Sequence, residues 1–228
     1  MKALSYLTDD PLRGLMIILT IVALVVGSRN FSRQREFRIV TFYVLFSLIT
    51  DLFDLFRYCA GIDHTTFFQG VINCLFILFE YTVFSSIILS QVHGIGRRRA
   101  IKVFMVLFPI YQIEIIFRHP DIITHYMNFY FFESLFLTFS SLLYFLELFI
   151  RPNGGPLKDR PAFWFITGVL FVSCGNIPML GILGFLGIYW PKAYELNYIL
   201  YILFFCLIIR AYFCKPYPAL SENTPPLA

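Results

Sequence analysis

Two glutamates, Glu80 and Glu133, stand deep inside long apolar stretches. There an ionised carboxyl group is costly unless it faces the interior of a bundle or a wet cavity and finds a partner. Around them the chain offers a small set of polar groups at helical spacing. Asp51 and Asp54 are three apart, with Arg57 three further on, so all lie near one face. Asn73 precedes Glu80 by seven residues, and Tyr130 precedes Glu133 by three. Asn176 and Tyr201 sit inside the last two apolar stretches. These eight residues, Glu80, Glu133, Asp51, Asn73, Asn176, Asp54, Tyr130 and Tyr201, are the candidates for a pocket that binds a small ligand or a proton. If Glu80 and Glu133 point inward and lie close, they are expected to share one proton, because two like charges disfavour each other in a low dielectric.

A structural alternative stands beside that reading. Asp54 with Arg57, and Glu114 with Arg118, have the spacing of ion pairs at helix ends, worth tenths of a kcal/mol (about 0.3–0.5) when exposed. Asn73, Asn176 and Ser141 could simply hold helices together, at about 0.6 kcal/mol each. Glu147 lies four residues before Arg151 and reads as an interface ion pair. In the run Gly175-Asn176-Ile177-Pro178, the proline lacks an N–H and clashes with the carbonyl of Cys174, which predicts a kink. Gly175 and Pro178 are the candidate hinge, with passive packing as the alternative.

The elements that must hold these residues are seven apolar segments. The chain has 228 residues, 58% hydrophobic and 14% charged, and a helix that spans the hydrocarbon needs about 20 residues. The segments run over about 12–27, 37–59, 67–90, 103–117, 124–150, 161–187 and 193–213, with a flexible tail at 215–228. They predict an all-α integral membrane protein, a single seven-transmembrane-helix bundle over 1–228. The runs are unbroken and lack a period of two, which argues against a closed barrel. The start, with Asp9, Asp10 and Pro11, has no cleavage-like small-residue site, so the first segment is expected to be retained.

Charge orients the bundle. Arg29, Arg33, Arg35, Arg38, Arg97, Arg98, Arg99, Lys102, Arg151, Lys158, Arg160, Arg210 and Lys215 fall on one side; Lys2, Arg13, Arg57, Arg118 and Lys192 fall on the other. Thirteen against five, all near short loops, predicts the N-terminus outside and the C-terminus cytoplasmic, in a multi-pass protein of the cell inner membrane. Basic residues in such loops meet anionic lipid and do not point to nucleic acid. Most of the buried polar groups then fall in the central or outer half of the bilayer.

Several chemistries lack their residues. His64, His119 and His125 fall on the outer side near Asp63 and Asp121, but no HExxH or HxxxH spacing supports a metal site, and none of the four histidines is deep enough for haem. Neither metal nor cofactor is expected. The cysteines, Cys59, Cys74, Cys174, Cys206 and Cys214, form no CxxC pair and read as packing residues. No glycine-rich phosphate loop or Gly-x-Ser-x-Gly element points to an enzyme. There is no internal repeat, and only the sixth segment shows a clear Gly/Pro interruption, which disfavours a pseudo-symmetric transporter.

The seven-helix, outside-to-inside plan is similar to that of rhodopsins and of receptors built like them, which implies a sensory role. The resemblance is one of topology. The last segment has no central lysine to carry retinal, since Lys192 and Lys215 lie at its ends, and the receptors' Asp-Arg-Tyr and Asn-Pro-x-x-Tyr signatures are absent. Seven-helix membrane hydrolases share the plan but need buried histidines. The expectation is a receptor-like or sensory protein that takes a small ligand from the outer side. A protein partner would dock on Arg97, Arg98 and Arg99, because the cytoplasmic loops are too short to carry an output domain. The alternatives are a non-catalytic accessory subunit of a larger membrane complex and a small-solute or proton-coupled transporter.

Overall fold

The computed structural model describes residues 11–32, 35–61, 67–118, 122–150, 156–182 and 192–214, with backbone alone at 58, 67–69, 122–126 and 192–194. Seven helices carry these residues: α1 Pro11–Asn30, α2 Arg35–Ala60, α3 Phe67–Gln91, α4 Ile95–Arg118, α5 Ile122–Ile150, α6 Pro161–Leu180 and α7 Lys192–Tyr212. A single 3₁₀ turn, Leu157–Asp159, leads into α6. Each of the seven is long and apolar enough to cross a membrane, and the chain is a multi-pass, all-helical membrane protein. The expected tail at 215–228 and the residues 183–187 at the end of the sixth segment lie outside the described residues, as do His64, Asp63, His119 and Asp121 and the side chain of His125.

Most helix ends differ from the apolar limits for physical reasons. α1 opens with Pro11 at its first position, where a missing N–H costs nothing. It continues past Gly27 because Ser28 Oγ donates to the Val25 carbonyl (2.9 Å) and Asn30 Nδ2 to that of Val26 (2.8 Å). α4 starts eight residues earlier than expected: the Arg98 N–H bonds the Gly94 carbonyl at 2.9 Å, so Arg97, Arg98, Arg99 and Lys102 lie on helix and not in a loop. Arginine is a good helix former, and its long stem lets the charge leave the apolar zone while the backbone stays wound. α4 also runs through Pro109, so α6 is not alone in carrying an internal proline. α6 passes through Gly175 and Pro178 as one helix.

The helices pack as a sequential ring closed by α1 against α7, with α3 also touching α5 and α6. Its centre is aromatic. Phe204 of α7 meets Tyr43 of α2, Phe84 of α3 and Phe165 of α6, with ring centroids 6.1, 5.5 and 6.0 Å apart. α7 comes this close because α6 presents glycine: a Cβ on Gly168 would lie 2.7 Å from the Phe204 ring, and one on Gly175 2.5 Å from Leu200. Small residues at such crossings let backbones approach where lipid supplies no hydrophobic drive. α4 is the marginal member, packed on α3 and α5. It turns Val103, Val106, Leu107, Ile110, Ile113 and Phe117 outward, at the spacing of one helical face.

The basic end is held by polar contacts. Glu147 of α5, 5% exposed, pairs with Arg97 of α4, which brings both Nε and Nη2 to Oε2. The Gly94 N–H donates to the same oxygen at 3.3 Å. This inter-helix pair stands where a contact with Arg151 was expected; Arg151 lies outside the described residues. Nearby, the Lys158 carbonyl accepts from Trp164 Nε1 (2.8 Å), Arg210 Nη2 (3.5 Å) and Cys214 Sγ (3.5 Å). Arg210 also lies over the Trp164 ring, 5.4 Å from its centroid. Burial pushes the Cys214 thiol above its ordinary pKa, with Arg210 opposing and Asp159 reinforcing, so it remains a donor.

Removing Arg97 strands a buried carboxylate, whereas Arg98 and Arg99 are exposed. Arg97→Ala is expected to cost about 2 kcal/mol, below the range for a fully buried pair because part of the guanidinium is solvated. Arg98→Ala and Arg99→Ala are expected to cost under about 0.5 kcal/mol. Denaturant titration of the three variants in detergent checks the ranking, and equal losses would contradict it.

Candidate functional site

The polar groups of the interior form two connected layers. The deeper one centres on Glu80 of α3, 2% exposed. The Tyr43 hydroxyl donates to its Oε1 at 3.0 Å, and the Tyr201 hydroxyl donates to the same oxygen at 3.4 Å. Glu133 of α5, 3% exposed, lies within electrostatic reach of Glu80 and of Tyr43, Tyr81 and Tyr201. Glu80 Oε2 and Glu133 Oε1 have no hydrogen-bond partner among the described residues. Four helices thus bring two carboxyl groups and three tyrosines into one apolar centre.

Local sequence explains the placement. On α5 the buried residues Phe129, Glu133, Leu137, Ser140, Ser141, Tyr144 and Glu147 recur every three or four positions, a stripe that faces the core. On α3, Ile77, Glu80, Tyr81, Phe84, Ile87 and Ile88 do the same. The glutamates therefore point inward because their neighbours on each stripe do.

The second layer is a cavity of about 300 Å³. Six helices line it: Arg13 and Met16 from α1; Ser47, Thr50, Asp51, Phe53 and Asp54 from α2; Ile72, Asn73 and Phe76 from α3; Met127 and Tyr130 from α5; Asn176, Met179 and Leu180 from α6; Asn197, Tyr198, Tyr201 and Phe205 from α7. Arg13 Nη2 stands 3.6 Å from Asp54 Oδ2. Asn176 is 4% exposed, and its Oδ1 has no partner among the described residues; nor has Asp51 Oδ2.

Of the eight pocket candidates, Asp51, Asp54, Asn73, Asn176, Tyr130 and Tyr201 line this cavity, and Glu80 and Glu133 do not. They lie behind its wall, and Tyr201 belongs to both layers, lining the cavity while donating to Glu80. Asp54 meets Arg13 of α1 across the helix interface. Glu114 and Arg118 form the expected i,i+4 pair, at 2.8 Å, on an exposed stretch of α4. Gly175 is the point where Leu200 of α7 meets α6. Sequence reasoning missed two participants. Arg13 is a lone cation one turn into an apolar helix, and that isolation was the available clue; Tyr43 carried none, since its hydroxyl is one of many aromatic positions. Among the described residues no group of three His, Cys, Asp or Glu side chains is close enough to hold a metal ion.

The two tyrosine bonds to Glu80 differ in length, and their loss should differ too. Tyr43→Phe is expected to destabilise the chain by about 1 kcal/mol and Tyr201→Phe by less. In the Glu80→Ala background neither change should have a comparable effect. Unfolding free energies of the single and double variants check this, and additive losses would show that the hydroxyls act elsewhere.

Comparison of the chain with family models, with curated proteins and with solved structures returns no match.

Proposed function

We propose that the chain is a receptor-like or sensory protein of the cell inner membrane, with its N-terminus outside and its C-terminus cytoplasmic. The cavity takes a small ligand from the outer side, and occupancy is felt at Glu80 and Glu133. The response passes along α6, at Gly175 and Pro178, to a separate protein partner near the exposed Arg98 and Arg99. One observation carries this reading: six helices converge on a single polar and aromatic cavity whose wall residue Tyr201 is hydrogen-bonded to Glu80. A concave, mostly apolar site with a few convergent polar groups is the usual small-ligand arrangement. A ligand touching Tyr201 would have different contacts in two positions of α7, which is what coupling requires.

An accessory-subunit role is the second reading, supported by the outward apolar face of α4 on a marginally packed helix. Lipid covers such a face equally well. A small-solute or proton-coupled transporter would use the same buried carboxylates.

Two measurements separate these readings. In a Cys59→Ser background, Asn197→Cys is expected to react with a membrane-impermeant maleimide added outside intact cells. Reaction only from the cytoplasmic side would reverse the orientation, and reaction from neither side would remove the pocket. Glu80→Gln and Glu133→Gln are expected to leave abundance and co-purifying proteins unchanged. Release of a bound subunit by either substitution would favour the accessory role, and Glu80-dependent uptake into proteoliposomes under a pH gradient would favour the carrier.

A further inference from the structure

We infer that the cavity is selective for a small organic cation, a ligand with an ammonium group beside an apolar body; this rests on reading the cavity as a ligand pocket. The first argument is charge. Among the described lining residues Asp51 and Asp54 are acidic and Arg13 alone is basic, and Arg13 stands beside Asp54. Asp51 Oδ2 is buried without a hydrogen-bond partner among the described residues. Behind the wall, Glu80 and Glu133 have no ion pair among the described residues, and sharing one proton they add a single negative charge. A site whose walls are apolar and whose formal charges are mostly negative concentrates field lines on a cation and repels an anion.

The second argument is hydrogen bonding. The amide oxygen of Asn176, a residue 96% buried at the cavity wall, also lacks a partner among the described residues. A carboxylate oxygen and an amide oxygen are acceptors, so the complementary ligand carries N–H donors. The third is the aromatic lining. Phe76, Tyr130 and Tyr201 line the same space, and an ammonium group is attracted to aromatic faces most strongly when desolvated. The volume, about 300 Å³, suits a molecule at the small end of ligand sites.

Three compounds of one shape and different charge test this: phenylethylammonium, 2-phenylethanol and phenylacetate. Binding to the full chain in lipid nanodiscs is followed by ligand-observed magnetic resonance and by the shift in thermal unfolding. The ammonium is expected to bind at least about tenfold more tightly than the alcohol, with phenylacetate weakest. Asp51→Asn is expected to abolish the preference for the ammonium while leaving the alcohol's affinity unchanged. Equal or tighter binding of the alcohol or of phenylacetate overturns the cation selectivity and leaves the pocket standing. A preference that survives both Asp51→Asn and Asp54→Asn overturns it as well. Binding of none of the three at millimolar concentration overturns the inference and the pocket reading together. The wild-type ranking decides the matter even where a variant fails to fold.

Discussion

Burying the carboxyl group of Glu80 is the constraint on which the rest of this bundle depends. A group that would cost several kcal/mol or more alone in hydrocarbon is held by two hydroxyls on a single oxygen, one from α2 and one from α7. Those bonds require Tyr43 of α2 and Tyr201 of α7 to reach the same oxygen on α3. The approach in turn needs the aromatic packing around Phe204 and the bare backbone at Gly168. Polar satisfaction and close packing are thus one requirement here. Lipid gives helices no hydrophobic reason to associate, so a buried polar group that must find its partner contributes specificity out of proportion to its small net energy.

The two ends of the bundle are built on different principles. At the basic end, ionic and carbonyl contacts cluster, as in Arg97 with Glu147 and the three donors on Lys158. At the other end, six helices splay around a cavity in which acceptor atoms of Asp51 and Asn176 lack a partner among the described residues. Native interiors rarely leave such atoms unmatched. Clustered ionic contacts at one end and a cavity at the other are the arrangement expected when stability is supplied in one place and binding in the other.

Much of the fold was legible because hydropathy and charge act over whole segments. Twenty apolar residues read as a spanning helix whatever the detail, and the spacing of Asn73 with Glu80 puts both on one face of α3. The misreadings arose where single residues decide. Arg97, Arg98 and Arg99 look like loop composition, yet α4 includes them, because arginine winds well and its charge can leave the helix. Spacing points Glu147 to a partner along its own helix, whereas the ring brings Arg97 to it from α4. Asp51, Asp54, Asn73, Asn176, Tyr130 and Tyr201 stand out as polar exceptions in apolar runs, and all six line the cavity. Arg13 and Tyr43 were not assigned, because which neighbour faces a given residue is set by helix rotation and crossing, which no spacing within one helix encodes.

The grip of the Lys158 carbonyl on Trp164, Arg210 and Cys214 has a mechanical meaning. It fastens the last turn of α7 to the first turn of α6, so these antiparallel helices share a fulcrum at one end. Tyr201 lies nine residues from Arg210 along α7, about 13 Å at 1.5 Å per residue. A helix pinned at its foot swings and does not slide, and lateral travel grows with distance from the pin. The residues with the longest lever arm on α7 are those that border the cavity.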